Sequence, residues 1–352
     1  MEQKDVLKAL QRDHAAELKL AAERLKGTAR HTEIIPSPVL SEMTGHEILL
    51  KPENLQVTGS FKIRGAYNKI ASLTEEQIAH GIVTASAGNH AQGVAYAARE
   101  RGAKATICMP QITPPLKVDA TKAYGADVVL YGDVFDESAA HAQELSDTEG
   151  MIYVPPFDDY EVLCGQGTIG LEILEDVPNV TDVVVPLGGG GLGAGVALAI
   201  KTFKPEVRVI GAIPEGSPAW KNSLAAGRVV AADQVRTSAE GVAVKRPGDL
   251  TSRWCNTPPN GSTRTCRSRP MRPTSSSTST GPISAASRRS RSTQRLISFA
   301  RRWPRLAGSR SLLAMSRRGG PARSSARRSQ TVSGPITAMT MVEVSIGNCR
   351  SC

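Results

Sequence analysis

The stretch Thr58-Gly59-Ser60-Phe61-Lys62-Ile63-Arg64-Gly65 decides how this chain is interpreted. Lys62 stands between an aromatic and a β-branched residue, directly after a Gly-Ser turn. Apolar residues then recur at helical spacing, so Lys62 is predicted to lie at or near a helix N-terminus. The positive end of a helix dipole and apolar neighbours both disfavour an ammonium group. A lysine of lowered pKa is the residue type that bonds covalently to carbonyl cofactors.

Two further loops follow apolar segments that are predicted to be strands. Ser86-Ala87-Gly88-Asn89-His90 comes after residues 81–85, and Gly188-Gly189-Gly190-Gly191-Leu192 comes after residues 181–186. A glycine run between a strand and a helix lets backbone N–H groups crowd an anion, and the helix dipole adds attraction. The run lacks the lysine of a P-loop and the spacing of a dinucleotide fingerprint, so a cofactor phosphate is the favoured ligand. A purely structural tight turn is the alternative.

The alternation of predicted strands and helices indicates an α/β fold of open, mostly parallel sheets covered on both faces. We expect two such domains with a cofactor cleft between them, since ligands of parallel sheets lie at the carboxyl ends of the strands. Residues 1–55 and 156–250 are predicted to form the large domain that binds the cofactor phosphate, although incompletely. Residues 56–155 are predicted to form the small domain with the Ser86–His90 loop. Residues 5–26 and 169–174 are each predicted to be one helix.

The composition changes abruptly near residue 250. The chain of 352 residues has a formal net charge of +10, but residues 1–250 hold 24 basic and 32 acidic residues. Residues 251–352 hold 19 arginines, no lysine and the single acid Glu343. Only 12 of these 102 residues are Leu, Ile, Val or Phe, too few to offset the entropy of ordering them.

This Arg/Ser-rich tail, residues 251–352, has two interpretations. One is a genuine nucleic-acid-binding extension, and only in that case is nucleic acid an expected partner. The other, which we favour, is a shifted reading frame, because a GC-rich gene read out of frame yields Arg, Ser, Pro and Ala with almost no Lys or Asp. A frameshifted or disordered tail would not be a native continuation of the fold.

Cysteine usage and the absence of targeting patterns point to the cytoplasm. The first 250 residues carry only Cys108 and Cys164, both within apolar runs, which suits a reducing compartment. We see no signal peptide and no apolar run of about 18 residues, so neither export nor a membrane span is expected.

Several of these stretches, in their order along the chain, are similar to one family. They resemble the threonine dehydratase (threonine ammonia-lyase) branch of the pyridoxal-phosphate enzymes of the tryptophan synthase β type, or fold type II. The resemblance covers about the first 250 residues. It rests on Lys51-Pro52-Glu53-Asn54-Leu55-Gln56, Ser60-Phe61-Lys62, residues 86–92, Gly165-Gln166-Gly167-Thr168, the glycine run, and Gly241-Val242-Ala243-Val244-Lys245-Arg246-Pro247-Gly248.

The resemblance implies pyridoxal 5'-phosphate as the cofactor, bound covalently by Lys62, which would also remove the substrate α-proton. The other implied cofactor contacts are Phe61, Asn89, Gly188, Gly189, Gly190, Gly191, Leu192 and Gly241. The implied contacts to the substrate carboxylate are the backbone groups of Ser86, Ala87, Gly88, Asn89 and His90. Asn89 is equally compatible with a helix cap, and Phe61 with simple core filling. No metal site is expected, because the histidines lack metal-like spacing.

The implied reaction is deamination of L-threonine to 2-oxobutanoate and ammonia, or of L-serine to pyruvate, in isoleucine biosynthesis or threonine breakdown. Related serine racemases carry a second serine where this chain has Ala87, which has no proton to give, so the resemblance favours elimination over racemisation. Racemisation or β-replacement on the same fold is one alternative. An inactive, truncated dehydratase with a nucleic-acid-binding tail is another. The family also implies a small amino-acid substrate and a homo-oligomer, a dimer or tetramer.

Two family elements are missing from the sequence. We find neither the Glu-Gly-Ala-Gly helix start nor the Ser-Gly-Gly-Asn stretch whose serine faces the pyridine nitrogen, and Ser345-Ile346-Gly347-Asn348 is only a faint echo of the second. We therefore expect that residues from about 252 onward do not continue the folded domain. The sheet formed by residues 181–186 and 207–213 would then expose apolar edges, and activity would be low or absent.

Overall fold

Two separate β-sheets organise the chain in the computed structural model, which describes residues 3–256 and 336–341. The helices are Gln3–Leu10 (α1), His14–Leu25 (α2), Pro38–Thr44 (α3), Lys62–Ala71 (α4), Glu75–Ala79 (α5), Asn89–Glu100 (α6), Pro115–Lys122 (α7), Phe135–Glu149 (α8), Tyr160–Asp176 (α9), Gly191–Phe203 (α10), Ala219–Ala226 (α11) and Asp249–Asn256 (α12). The strands are Ile35–Pro36 (β1), Glu47–Pro52 (β2), Ile82–Ala85 (β3), Ala105–Met109 (β4), Asp127–Leu130 (β5), Ile152–Tyr153 (β6), Val180–Pro186 (β7), Arg208–Ala212 (β8) and Ile336–Met341 (β9).

The smaller sheet is entirely parallel, in the order β5-β4-β3-β6. Its central strand β3 is buried throughout, with successive side chains on opposite faces. Ile82 and Ile107 pack with α4, α6 and α7, whereas Val83 and Cys108 pack with α8. Because helices cover both faces, every side chain of β3 meets apolar atoms, which explains the continuous apolar run that predicts this strand.

The larger sheet has the order β1-β2-β9-β7-β8, in which only the short strand β1 runs antiparallel. Its core includes Val183 and Val185 of β7, together with Ile173 of α9 and Val196 of α10. The parallel α/β class is therefore confirmed. The smaller sheet falls within the range predicted for the small domain, and four strands of the larger sheet fall within the ranges predicted for the large domain, whereas β9 lies in the predicted tail. The division into domains itself stays a prediction.

Strand β9 corrects one expectation about the tail. It lies between β2 and β7 and pairs parallel with both, for example Leu49 with Ala338 and Val183 with Ala338. The predicted bare edge of the strand at residues 181–186 is therefore wrong, because β7 pairs on both sides. The segment Ile336–Met341 contains no charged residue and consists of Ile, Ala, two Thr and two Met, so it differs from the arginine-rich sequence before it. The rest of the tail from residue 257, including Ser345–Asn348, lies outside the described residues.

Helix α12 corrects the position of the boundary. The charge reversal places the end of the fold at residue 250, but α12 continues to Asn256, with Leu250 and Trp254 buried one turn apart in a core cluster. The Asp158 carboxylate accepts hydrogen bonds from the backbone N–H groups of Asp249 and Leu250 at 2.9 and 3.0 Å, which caps the helix. Composition alone does not reveal this continuation, because it depends on a capping residue far away in sequence.

Glycines allow the helices behind the two sheets to cross closely. A Cβ atom at Gly93 of α6 would lie 3.1 Å from the carbonyl carbon of Lys62, and one at Gly165 of α9 would lie 2.7 Å from the Cα atom of Gly65. The first turn of α4 is therefore held between the backbones of α6 and α9. Among the described residues, no helix is long and apolar enough to span a membrane.

We expect Gly165→Ala to destabilise the protein. Helix propensity alone would favour alanine by about 1 kcal/mol. The added methyl group would collide with backbone atoms of Arg64 and Gly65, and overpacking of this kind costs about 1–3 kcal/mol. The test is the midpoint of urea unfolding, with Ala140→Gly on the exposed side of α8 as the control for propensity. An unchanged or higher midpoint for Gly165→Ala would show that the crossing of α9 and α4 can accommodate a methyl group.

Candidate active site

Lys62 is the first residue of α4, as the sequence predicts, and its amine is held inside the molecule. The Nζ atom donates a hydrogen bond of 2.6 Å to the carbonyl oxygen of Pro156 and lies 5.4 Å from the centre of the Phe61 ring. The side chain keeps partial surface exposure, but the surrounding atoms still desolvate its charge. This burial lowers the pKa of Lys62 from 10.5 to about 8.

The segment Val154–Asp158, which connects β6 to α9, contacts most of the predicted site. The Val154 carbonyl accepts hydrogen bonds from Thr84 Oγ1 at 2.7 Å and from His90 Nε2 at 3.0 Å. The Pro156 carbonyl holds Lys62. The Phe157 ring fills the space beside Gly189, and the Cβ and backbone atoms of Phe157 lie beside Gly191, so a Cβ atom at either glycine would collide with Phe157. One crossing of the chain therefore links Lys62, the Ser86–His90 loop and the glycine run.

His90 is neutral and presents an acceptor. A carbonyl oxygen only accepts, so the hydrogen bond to Val154 places the proton on Nε2 and leaves a lone pair on Nδ1. Burial, with a smaller contribution from the nearby Lys62 charge, lowers the pKa of His90 to about 3. His90 is 3 % exposed, and Nδ1 has no hydrogen-bond partner within the described part of the chain.

The loop before α6 is accessible. Ser86, Ala87, Gly88 and Asn89 are all partly exposed, in contrast to the buried strand before them. The residue that caps α6 is Gly88, and no side chain caps the helix. The interpretation of Asn89 as a helix cap is therefore wrong. The first N–H groups of α6 have no partner within the helix and are free to meet an anion.

The glycine run begins α10 and is shaped by close neighbours. Gly190 has a φ of +102°, and a Cβ atom there would meet Trp220 and Thr251. The carbonyl of Gly188 accepts from Trp220 Nε1 at 2.6 Å, and that of Gly189 accepts from Thr251 Oγ1 at 2.8 Å. Packing therefore explains part of the run. The N-terminus of α10 nevertheless has no side-chain cap, so its amides remain suited to an anion.

Three other predicted residues occupy different settings. Phe61 and Leu192 lie in the core cluster of the larger sheet, 8 % and 5 % exposed, which agrees with core filling. Gly241 is exposed, and its carbonyl oxygen would be 3.2 Å from a Cβ atom at Gly188, so it adjoins the glycine run. The cofactor contacts of all three remain predictions.

Residues 25–260 match the family model described as pyridoxal-phosphate dependent enzyme. This match covers more than half of the chain, and it includes Lys62, the Ser86–His90 loop and the glycine run. The chain belongs to this family.

Within the family, the similar proteins are named for deamination of threonine and for racemisation of serine. The chain is 54 % identical over 235 residues to the L-threonine ammonia-lyase of Thermotoga maritima, covering 67 % of this chain but only 59 % of that protein. It resembles the structure of processed threonine deaminase isoform 2 from Solanum lycopersicum, with a TM-score of 0.65, 40 % identity and coverage of 72 % and 69 % of the two chains. It also resembles maize serine racemase, with a TM-score of 0.66, 35 % identity and coverage of 68 % and 72 %.

The residues present fit pyridoxal phosphate. The buried amine of Lys62 suits its carbonyl carbon, and the uncapped start of α10 suits its phosphate. Buried polar atoms normally have a partner, but the described residues supply none to Thr58 Oγ1 and Ser60 Oγ, just before Lys62, or to His90 Nδ1. These atoms therefore keep a hydrogen-bonding capacity that a polar ligand could use. No cluster of metal-binding side chains occurs in the described ranges.

Two features of the site were missed from the sequence. The Pro156 carbonyl is a backbone group with no residue-type signal, although the Pro155-Pro156 pair marks a chain crossing. Arg64, two residues after Lys62, forms a buried network with Glu53 and Glu172. Only the resemblance of residues 51–56 and 165–168 to the family pointed to that region.

The lowered pKa of Lys62 predicts unusual amine reactivity. In the folded protein without cofactor, half of the Lys62 amine should be neutral near pH 8, and the rate of acylation should level off just above that pH. We call the pH at which half of the Lys62 amine is neutral the Lys62 half-point. In urea-unfolded protein this half-point should return to about 10.5. Mass spectrometry of the Lys62 peptide measures both. Equal half-points in the two states would contradict the assigned desolvation.

Proposed function

We propose that this chain is a pyridoxal-phosphate-dependent lyase that deaminates L-threonine to 2-oxobutanoate and ammonia, with L-serine as a second substrate. The observation that carries this proposal is the Lys62 amine of lowered pKa, which the segment Val154–Asp158 links to the uncapped N-termini of α6 and α10. The threonine-deaminating names of similar proteins support the substrate. The rate is expected to be low, because the Ser-Gly-Gly-Asn stretch is missing from the sequence.

Three groups of the cofactor have a proposed partner in the chain. Lys62 would bond to its carbonyl carbon, and the amides at the start of α10 would hold its phosphate, with Asn89 reaching its ring oxygen. When bound, pyridoxal phosphate supplies an electron-withdrawing ring that stabilises negative charge at the substrate α-carbon. Residues of this protein are proposed to bind the substrate carboxylate and to move the α-proton.

The substrate carboxylate is proposed to bind at the loop Ser86–His90. The first N–H groups of α6 are unpaired, and the helix dipole favours negative charge there. A neutral His90 adds no positive charge, so the backbone amides must provide the attraction. Its Nδ1 atom, which has no partner among the described residues, would accept from a donor and would repel a carboxylate oxygen, so we expect the carboxylate on the amide side of the loop.

Lys62 is proposed to move the α-proton. With a pKa of about 8, roughly one-tenth of the amine is neutral at pH 7, far more than for an ordinary lysine. A neutral amine can accept the proton, and the Pro156 carbonyl then accepts a hydrogen bond from the ammonium that results. The same carbonyl restrains the long side chain between turnovers.

Serine racemisation is the second candidate, because maize serine racemase is a structural relative. Racemisation needs a second proton donor on the opposite face of the substrate. Ala87, partly exposed in the carboxylate loop, supplies no such group. This position favours elimination. A homo-oligomer, implied by the resemblance, and a cytoplasmic location, inferred from cysteine usage, remain predictions.

Replacing Lys62 should abolish the activity while leaving the fold intact. We expect Lys62→Ala to lower 2-oxobutanoate and ammonia formation by at least about 100-fold, the lower end of what a positioned base contributes. The variant should also lose the yellow colour of bound cofactor. Lys26→Ala, at an exposed lysine, is the control. A wild-type chain that takes up no pyridoxal phosphate would contradict the proposal.

The choice between elimination and racemisation depends on position 87. With L-serine, the wild-type chain should form pyruvate and no D-serine, whereas Ala87→Ser should release measurable D-serine because a second proton donor is restored. Chiral chromatography of the reaction mixture distinguishes the two products, with Ala140→Ser as the control. D-serine from the wild-type chain would favour the racemase alternative.

A further inference from the structure

A buried charge cluster lies behind the reactive lysine. We call Lys51, Glu53, Arg64 and Glu172 the Arg64 cluster. Arg64 contacts Glu53 at 2.8 Å and Glu172 at 2.5 Å, and Lys51 contacts Glu172 at 2.6 Å. Lys51, Glu53 and Arg64 are at most 1 % exposed. None of these groups takes part in the proposed chemistry.

Arg64 is bound from several sides. Its Nε and one terminal nitrogen donate to the two Glu53 oxygens at 2.8 and 2.9 Å, which forms a two-pronged pair. The guanidinium also donates to Thr168 Oγ1 at 3.1 Å and to the Arg30 carbonyl at 2.9 Å. Burial alone would lower the pKa of Arg64, but the carboxylates of Glu53 and Glu172 outweigh it and raise that pKa, so the group stays charged.

Arg64 and Lys62 lie on opposite sides of the same helical turn. Each residue of an α-helix advances by about 100°, so two residues separate the side chains by about 200°. Lys62 extends to the Pro156 carbonyl on one side, and Arg64 extends to Glu53 and Glu172 on the other. Two tethers on opposite sides restrict the rotation of the helix about its axis.

The close helix crossings complete this restraint. The backbone of Lys62 touches Gly93 of α6, and the backbone of Arg64 touches Gly165 of α9. These contacts fix the distance of the first turn of α4 from α6 and α9. Because glycines have no side chains to interlock, the contacts resist rotation of α4 about its axis only weakly. The directional hydrogen bonds of the guanidinium fork supply what the crossings lack.

A buried ion cluster is a weak device for stability, since desolvation offsets most of its attraction. The burial of four charged groups is better explained if the cluster fixes the orientation of the first turn of α4. We propose that Arg64 is a positioning residue for Lys62: its fork to Glu53 and Glu172 sets the rotation of the first turn of α4 and thereby keeps the Lys62 amine at Pro156. This proposal deepens the proposed function, since it rests on Lys62 as the reactive residue.

The test is the pH at which Lys62 becomes reactive, measured by acylation of the folded, cofactor-free protein. Arg64→Lys keeps the charge but loses the fork, and Arg64→Met loses both. We expect both variants to move the Lys62 half-point upward from about 8, by at least one pH unit toward 10.5, because a rotated turn exposes the amine. Uptake of pyridoxal phosphate should weaken at least tenfold.

Lys51→Met is the matched control. It removes an equally buried cation that also contacts Glu172 but belongs to β2, not to α4. This variant should unfold at a lower urea concentration and keep the Lys62 half-point near 8. A shift equal to that of Arg64→Lys would overturn the proposal, because general loosening would then explain both.

A milder variant covers the case in which the Arg64 variants do not fold. Glu172→Gln keeps the shape of the side chain and weakens one of the two carboxylate contacts, so it should shift the half-point in the same direction by a smaller amount. An unchanged half-point in every folded variant at Arg64 or Glu172 overturns the proposal. That result would not bear on the proposed threonine deamination. A wild-type chain without deaminase activity would contradict the proposed function, and the Lys62 half-points of the variants would still test the role of Arg64.

Discussion

The contact of the first turn of α4 with α6 on one side and α9 on the other is the constraint on which the site depends. Gly93 and Gly165 permit it, because a side chain at either position would collide with backbone atoms near Lys62 and Arg64. With the turn in this position, the Lys62 amine reaches the Pro156 carbonyl, although its side chain stays partly exposed. Backbone packing thus sets how deeply the turn lies, and the contacts of Lys62 and Arg64 are proposed to set its rotation.

The protonation states of the three basic side chains near the site depend on their hydrogen-bond and ion-pair partners. His90 bonds to a carbonyl oxygen, and none of the described residues offers it a carboxylate, so it remains neutral. Arg64 meets two carboxylates and remains charged. Within the described part of the chain, the Lys62 amine bonds to a carbonyl oxygen and to no carboxylate, so burial lowers its pKa. Three basic side chains within one region therefore have three different protonation tendencies, and only that of Lys62 suits proton transfer near neutral pH.

Local patterns predicted much of this fold, and long-range packing explains the rest. The apolar runs of β3 and β7 and the helix that starts at Lys62 were visible in the sequence, and the α/β class and family are confirmed. The helix predicted at residues 169–174 is longer in the structure, where it is α9, Tyr160–Asp176. The prediction was too short because glycines disfavour a helix, whereas Gly165, Gly167 and Gly170 are needed for the close helix crossings. The single helix predicted at residues 5–26 is two, because the Asp13 side chain caps α2. The buried partners of Arg64 could not be derived, since no spacing rule joins residues 53, 64 and 172.

The most direct test of the account is to locate the lysine that takes the cofactor. The protein is incubated with pyridoxal phosphate, the bond is fixed by reduction with borohydride, and the labelled peptides are mapped by mass spectrometry. The account predicts one dominant label on Lys62, formed at low cofactor concentration and lost when the protein is first unfolded. Label spread over exposed lysines such as Lys26, with Lys62 unmodified, would contradict it.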